Sequence, residues 1–302
     1  MKKYWDDKKI ILFSIIIPTF NRSHFIGKVV SSFLNQSYPY FELIIVDDGS
    51  SDNTKEVIDA IKDIRIKYQV INNAERGAAR NFGAKLAKGE YINYFDSDDI
   101  AYSNHLEEAY KAISVLGMPM VFHLGYEIKD ENDRMIHRQK NLKTTPNKAL
   151  LKVNYINPNP VFVNNATLGE VMYNTDRGLA GTEDWLYHLQ LAARYDITGF
   201  HECVTCCMVQ HNTRSMNQYS GNDVLKRNRL LQKYLSDDLN FKMKYGDSLH
   251  FVSAEMLGLA ALHFVLEKKK MNAFKYLLLS FYYSPMLIFN RRTLAIIKHS
   301  LI

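Results

Sequence analysis

Residues 91–99 read Tyr-Ile-Asn-Tyr-Phe-Asp-Ser-Asp-Asp, a short apolar strand that runs into three carboxylates, Asp96, Asp98 and Asp99. Like charges gathered at a strand tip repel and raise one another's pKa. A divalent cation relieves that repulsion. Hard oxygen donors at such a tip suit Mg2+ or Mn2+, which keep waters and bind through one or two carboxylates plus substrate phosphates. The cluster therefore points to a metal, and the metal to a phosphate. A polar turn with Asp98 capping the next helix is the plainer alternative. A second acidic pair, Asp47-Asp48, closes another apolar run and is followed by Gly49-Ser50. Farther on, Thr182-Glu183-Asp184-Trp185 reads as a helix start. Thr182 is its expected cap, and the two acids lie in the first turn, where the helix dipole favours negative charge. Cys203, Cys206 and Cys207 are too close in sequence to frame a disulfide scaffold, which points to a reducing compartment. With His201 nearby a zinc site is conceivable. Val-Thr-Cys-Cys-Met-Val reads as strand, however, and free cysteine behaves as a small core residue.

These groups need elements to carry them. Phe13–Ile17 is an apolar run ending at Pro18, the mark of a buried parallel strand. Ser23 is placed to cap a helix reaching about Asn35, with Phe25, Ile26, Val29, Val30, Phe33 and Leu34 on one face. Glu42–Val46, Ile66–Ile71 and Tyr91–Phe95 read as further strands. Between them, Asp52 or Asn53 opens a second helix, and Gly77–Ala87 forms a third, small-sided one. This alternation implies an α/β fold with a mostly parallel sheet, flanking helices and right-handed crossovers. Ligands of such sheets bind at the carboxyl ends of the strands, where both acidic clusters lie. Neither G-x-G-x-x-G nor G-x-x-x-x-G-K-S/T occurs, which argues against a dinucleotide fingerprint and a P-loop.

Past residue 100 the rhythm changes. Asn104–Leu116 reads as helix and Pro119–Leu124 as strand, and 125–160 is polar and irregular, ending in Asn157-Pro158-Asn159-Pro160. Loops of that kind carry specificity or move. Residues 222–302 read as helical, with two strongly apolar segments, Ser253–Glu267 and Asn272–Tyr283, separated by Lys268-Lys269-Lys270. Composition is that of a globular protein, with 47% hydrophobic and 23% charged residues in 302. The net charge of +6 suits an anionic ligand or membrane surface and is too mild for a nucleic-acid binder. The first residues, MKKYWDDKKIILFS, carry no apolar stretch ahead of a small-residue cleavage site, so no signal peptide is expected.

Four segments taken in order resemble family 2 glycosyltransferases of the GT-A fold: Ser14-Ile-Ile-Ile-Pro-Thr-Phe-Asn21-Arg22, Phe41 through Ser50, Ala79-Arg80-Asn81-Phe82-Gly83 with Gly89-Glu-Tyr-Ile, and Phe95 through Asp99. Thr182-Glu183-Asp184-Trp185 resembles that family's E-D motif, and Gln210 through Ser215 a histidine-containing stretch that follows it. The resemblance implies a GT-A domain over 1–215, with a nucleotide-binding half at about 11–115 and an acceptor half at 116–215, and a helical C-terminal extension over 216–302. It implies an inverting, metal-dependent transfer of a sugar from a nucleoside diphosphate, with UDP the implied nucleotide, to a saccharide or lipid-linked acceptor. Bacterial surface polysaccharide is the implied product, made in the cytoplasm or at the inner face of the membrane. Pro18, Thr19, Phe20 and Asn21 would line the nucleoside site with Asp47, and Asp48 would bond the base. Asp96, Asp98 and Asp99 would reach ribose and a Mn2+ or Mg2+ ion, with His211 as a further ligand, and either Asp96-x-Asp98 or Asp98-Asp99 serves as the frame. Arg76 and Arg80 would assist at the pyrophosphate. Asp184 would be the general base, with Glu183 second as an acceptor-side group.

Rival readings are weaker. A nucleotidyltransferase needs a Gly-rich basic loop after the first strand, which Thr19-Phe20-Asn21-Arg22 is not. A response-regulator-like switch would end near residue 125 and leave the E-D helix unexplained. A non-catalytic nucleotide-sugar-binding or assembly module of the same descent predicts loss of a metal or base carboxylate, yet all are present. For the C-terminal helices the plainer reading is packing on the catalytic domain or in a homo-oligomer. The alternative is a place in a membrane interface, since Tyr276–Phe289 is too short to span and basic residues flank it.

Overall fold

The structure is a computed structural model describing residues 9–139, 144–211 and 219–301. Its strands are β1 (Phe13–Thr19), β2 (Phe41–Asp47), β3 (Ile66–Val70), β4 (Tyr91–Tyr94), β5 (Ile100–Ala101), β6 (Val121–Asp130), β7 (Met135–Arg138), β8 (Val161–Asn164) and β9 (Ile197–Gln210). The helices are α1 (Ser23–Leu34), α2 (Thr54–Asp59), α3 (Arg76–Leu86), α4 (His105–Leu116), α5 (Pro146–Leu150), α6 (Glu183–Arg194), α7 (Gly221–Asp237), α8 (Leu239–Tyr245), α9 (Leu249–Leu266), α10 (Lys270–Tyr283) and α11 (Arg291–Leu301). They divide between two compact units. One comprises the described residues of Met1–Pro146, Ile156–Thr175 and Tyr195–His211, the other those of Asn147–Tyr155, Asp176–Arg194 and Asn212–Ile302.

The first unit holds one sheet in the order β3-β2-β1-β4-β8-β6-β9-β5, with β7 beside β6. β3, β2, β1 and β4 are mutually parallel. The sheet then turns mixed, because β8 runs antiparallel to both β4 and β6 while β6 and β9 pair in parallel. The long apolar runs of β1 and β2 are buried at every position, as strands covered on both faces must be. The small side of α3 has a packing reason. A Cβ on Gly83 would lie 2.5 Å from Ile16 Cγ2, so only glycine lets the helix sit this close to β1. Two expectations are corrected. The N-cap of α1 is Arg22, not Ser23, and the Ser23 N–H instead donates to Asp52 Oδ2 at 3.0 Å. Residues 125–160 are less irregular than their polarity suggests, since β6 continues to Asp130 and turns back as β7. Cys206 and Cys207 are buried in β9.

The second unit is helical. Its central helix, α9, is apolar all round and packs with α7, α10 and α11. Among the described residues Leu239–Leu266 is the one helical run long and apolar enough to cross a bilayer, and 56% of its most apolar window is buried. A helix buried on all sides reads the same way in sequence. The Ser220 hydroxyl accepts from the Asp223 N–H while the Asp223 carboxylate accepts from the Ser220 N–H, a reciprocal cap on α7. Arg194 at the end of α6 meets Asp238 at 2.9 Å. The sequence boundary at 215 thus differs from the packing: α6, with its Glu-Asp pair, and residues 147–155 are compact with the C-terminal helices. Trp185 explains part of this, since its indole N–H donates to Leu150 O at 2.8 Å.

Candidate active site

The carboxyl edge of the first unit's sheet is built from four loops. β1 ends at Thr19, and Asn21 follows in the left-handed region with φ 52°, which a short amide side chain tolerates. That turn stitches the β1 loop to the β2 loop. The Asn21 N–H donates to Ser50 Oγ at 2.8 Å, and its side-chain oxygen accepts from the Ser51 N–H at 2.8 Å. Below it the Thr19 hydroxyl is buried with no hydrogen-bond partner among the described residues, a group that a ligand would satisfy. The Phe20 ring is 43% exposed beside it. Asp52 holds the same corner. Burial works against its charge, but hydrogen bonds from Thr54 and Ser23 outweigh that and draw its carboxyl down to about 2.

At the tip of β2 the two acids point to different tasks. Asp47 accepts the Ser50 N–H at 2.7 Å and the Tyr68 hydroxyl, so it closes its own turn. Burial, and then the Asp47 carboxylate, push the Tyr68 hydroxyl well above the usual phenol range. Asp48 accepts the backbone N–H groups of Ala74 and Glu75 at 2.6 and 2.9 Å. It thereby fixes the chain entering α3, where Glu75 has φ 79°.

α3 and the β4 tip meet in a charged contact with a buried guanidinium. Arg80, 2% exposed, donates to Asp96 Oδ1 at 2.9 Å and lies 4.8 Å from the Tyr173 ring centre. The three β4 carboxylates then diverge. Asp96 is paired with Arg80. Asp99 is fully buried, and its two oxygens accept from Asn159 Nδ2 at 2.7 Å and the Val209 N–H at 2.9 Å. It ties the β4 loop to β9 and to the turn before β8. Asp98, 14% exposed, has Oδ2 3.0 Å from His211 Nε2 and 3.8 Å from Arg22 Nε. Phe25 stacks on the His211 imidazole at 4.9 Å.

Among the described residues no three or more His, Cys, Asp or Glu side chains converge as a metal cage. Asp98 with His211 nonetheless offers a hard oxygen and an imidazole nitrogen, and a metal that takes its remaining positions from phosphate and water needs no more protein than that. The residues present therefore fit such an ion. The remainder of the histidine-containing stretch, 212–218, lies outside the described residues. Arg76 is the first residue of α3, four residues before Arg80 on the same helix.

In the second unit Glu183 is buried, and its carboxylate accepts from the Gly181 N–H at 2.6 Å. Asp184 is half-buried. It accepts from the Trp185 N–H at 2.7 Å and from Asn154 Nδ2 at 3.3 Å. Thr182 is not the expected cap, because its hydroxyl donates backward to Leu179 O at 2.9 Å. Four participants in these arrangements escaped the sequence reading as such: Arg22, Phe25, Asn159 and Tyr173. Asn159 stood in plain view in Asn157-Pro158-Asn159-Pro160, which marked a loop but not what its amides hold.

The profile described as Glycosyl transferase family 2 matches residues 14–176. A glycosyltransferase GlyG of Streptococcus pneumoniae serotype 4 is 35% identical over 125 residues, covering 40% of this chain and 41% of the relative. From Escherichia coli, the UDP-Glc:alpha-D-GlcNAc-diphosphoundecaprenol beta-1,3-glucosyltransferase WfgD is 45% identical over 98 residues, covering 32% of this chain and 38% of its own. The chain thus spans about two fifths of the length of these curated relatives. Among solved structures, Staphylococcus aureus TarS 1–349 in complex with UDP-GlcNAc superposes with a TM-score of 0.64 at 18% identity, covering 88% of this chain and 89% of that one. That likeness is one of fold, and the fold is the GT-A type, a mixed α/β sheet with flanking helices.

Proposed function

Because the chain belongs to glycosyl transferase family 2, we propose that it moves a sugar from a UDP-sugar, with inversion, to a hydroxyl of a lipid-linked saccharide in bacterial surface-polysaccharide synthesis. The observation that carries this reading is the gathering of Thr19, Asp48, the Arg80–Asp96 pair and the Asp98–His211 pair at one carboxyl edge of a sheet. UDP-sugar and a diphosphoundecaprenol-linked acceptor are the chemistry in the name of WfgD. The cytoplasmic face of a membrane is where such an acceptor would be met.

Each step falls to a residue type suited to it. The exposed face of Phe20 stacks the base, and Thr19 supplies a hydroxyl that lacks a partner of its own. Asp48 accepts from the base N–H, with Asp47 shaping the turn beside it and Pro18 and Asn21 fixing the walls. Arg80, held by Asp96, and Arg76 place positive charge toward the diphosphate. Asp98 and His211 would hold a Mn2+ or Mg2+ ion, which supplies Lewis-acid neutralisation of the departing diphosphate. Asp99 acts one step back, by keeping the Asp98 loop in place. On the acceptor side, Asp184 takes the hydroxyl proton as the oxygen bonds to the anomeric carbon and the bond to UDP breaks. A positioned carboxylate base contributes ~10²–10⁴-fold. Glu183, turned back onto Gly181, supports the loop.

Calorimetric titration of UDP tests the reading. Binding should require Mn2+ or Mg2+, and UDP should outcompete ADP and GDP. Full-strength binding in EDTA removes the metal from the reading, and equal competition by all three nucleotides removes Asp48 from base recognition.

A further inference from the structure

The last 35 residues carry a charge balance unlike the rest of the chain. From Lys268 to Ile302 there are seven Lys and Arg and no Asp or Glu. The whole chain has 38 basic and 32 acidic residues, so the remainder holds 31 against 32 and is close to neutral. The protein's net positive charge therefore resides in this segment.

The same segment exposes apolar side chains on a helix that has already buried its other face. α10 packs on α9 through Ala273, Leu277 and Ser280. On the opposite side Met271, Phe274, Leu278 and Tyr282 follow at helical spacing and are 82, 61, 50 and 81% exposed. A helix that is apolar on both sides normally lies inside a core or a membrane. Scattered exposed apolar residues need no explanation, but a contiguous stripe does. It continues past the end of α10, with Phe289 87% exposed in the turn and Leu294 62% exposed on α11. Lys268, Lys270, Lys275 and Lys298 are exposed along the same segment, whereas Arg292 is tied to Glu255 of α9 at 2.7 Å.

From these observations we infer that the outer face of α10 and α11 docks on an anionic lipid surface, lying in the interface. At 14 residues α10 is about 21 Å long, short of the ~30 Å hydrocarbon core, so it lies along the bilayer and does not cross it. Phe, Leu and Tyr enter the headgroup boundary while the lysines meet lipid phosphates. Charge decides against a second copy of the chain as the occupant. Stacking this face on itself would bring two sets of the exposed Lys268, Lys270, Lys275 and Lys298 together, with no Asp or Glu on α10 or α11 to offset them, whereas anionic headgroups neutralise them. The assignment stands apart from the transfer reaction and is tested without it.

The test is flotation of the full-length protein with vesicles of phosphatidylcholine alone and with phosphatidylcholine mixed with anionic phosphatidylglycerol. Binding should appear with the anionic vesicles and fall as salt rises. Each cation near such a surface contributes about fivefold, so the Lys268→Gln/Lys269→Gln/Lys270→Gln variant should bind about a hundredfold more weakly. Phe274→Ser/Leu278→Ser/Tyr282→Ser should lose binding with helix content and melting unchanged. Independently of those variants, a Phe274→Trp reporter should be quenched by brominated lipid. No flotation at low salt, wild-type binding by both triple variants, or an unquenched reporter on bound protein overturns the inference. So does a dimer seen by light scattering that the apolar variant dissociates while vesicles are ignored.

Discussion

Adjacent carboxylates at the β4 tip should respond to alanine in opposite ways. Asp99 is fully buried and accepts from Asn159 Nδ2 and the Val209 N–H. Asp99→Ala leaves both donors without an acceptor in a place water does not reach. Each stranded donor costs about 1–3 kcal/mol, so the pair costs about 2–6 kcal/mol, a large share of the ~5–15 kcal/mol that holds a domain folded. Asp98 keeps 14% of its side chain exposed, and its contacts are the buried His211 at 3.0 Å and Arg22 at 3.8 Å. Removing it deprives one buried imidazole of one partner, about 1–3 kcal/mol, so Asp98→Ala should unfold at a lower urea concentration than wild type but a higher one than Asp99→Ala. Binding reverses the order. Asp98→Ala should lose metal-dependent UDP affinity while folded, and Asp99→Ala should recover much of it under conditions that keep the chain folded. Urea titration followed by circular dichroism, paired with calorimetry of UDP in Mn2+, measures both. An Asp99→Ala protein as stable as wild type that binds no UDP would make Asp99 a ligand and refute the division of labour.

Asp184→Asn should leave UDP affinity within a few-fold of wild type and slow transfer ~10²–10⁴-fold; near-normal turnover with a competent acceptor would move the base elsewhere, with Glu183 the first to examine. His105 should make the fold sensitive to acid. It is fully buried between Thr205 and Asn93, and burial depresses its pKa from 6.5 to about 3. The unfolded chain therefore takes up the proton first, and stability should fall as pH drops through that window by up to about 1.4 kcal/mol per pH unit. His105→Asn should flatten the acid limb of a stability-against-pH curve, and an unchanged slope would exclude His105 as its source. Gly83→Ala should destabilise the first unit by about 1–3 kcal/mol, because its Cβ would meet Ile16 at 2.5 Å and Val46 at 3.1 Å; an unaltered melting curve would show that α3 can retreat freely.

The parallel half of the sheet was legible because buried strands write themselves as unbroken apolar runs, as in Phe13–Ile17 and Glu42–Val46, and because acids at their ends mark the ligand-facing edge. The roles of those acids were not legible. Asp96, Asp98 and Asp99 have the same chemistry in sequence, and only their partners, Arg80, His211 and Asn159, separate them. Those partners lie from 16 to 113 residues away. Caps failed for a related reason. Ser23 and Thr182 have the right hydroxyls, but Ser23 is already the first helical residue, with its N–H donating to Asp52, and the Thr182 hydroxyl donates to Leu179 O. Local propensity is a weak prior where a distant side chain competes for the same group. The polar stretch 125–160 hid β7 because an edge hairpin with four exposed residues has no buried face to give it an apolar rhythm.

Asn159 has a consequence for the lifetime of the protein. Its amide is engaged on both sides, with the oxygen accepting from the Asp96 N–H at 2.8 Å and the nitrogen donating to Asp99 at 2.7 Å. Conversion of this residue to aspartate would remove that donor and set a second carboxylate against a buried one. Asparagine ages in that way when the next backbone nitrogen, having lost its hydrogen, attacks the side-chain carbonyl and closes a succinimide ring. The next residue here is Pro160, whose nitrogen carries no hydrogen. Asn157, whose side-chain oxygen accepts from the Asn159 N–H at 2.8 Å, is followed by Pro158 in the same way. The two amides that brace the site are thus sheltered from spontaneous deamidation by their own neighbours, and the alternating Asn-Pro sequence makes this turn chemically durable as well as well placed.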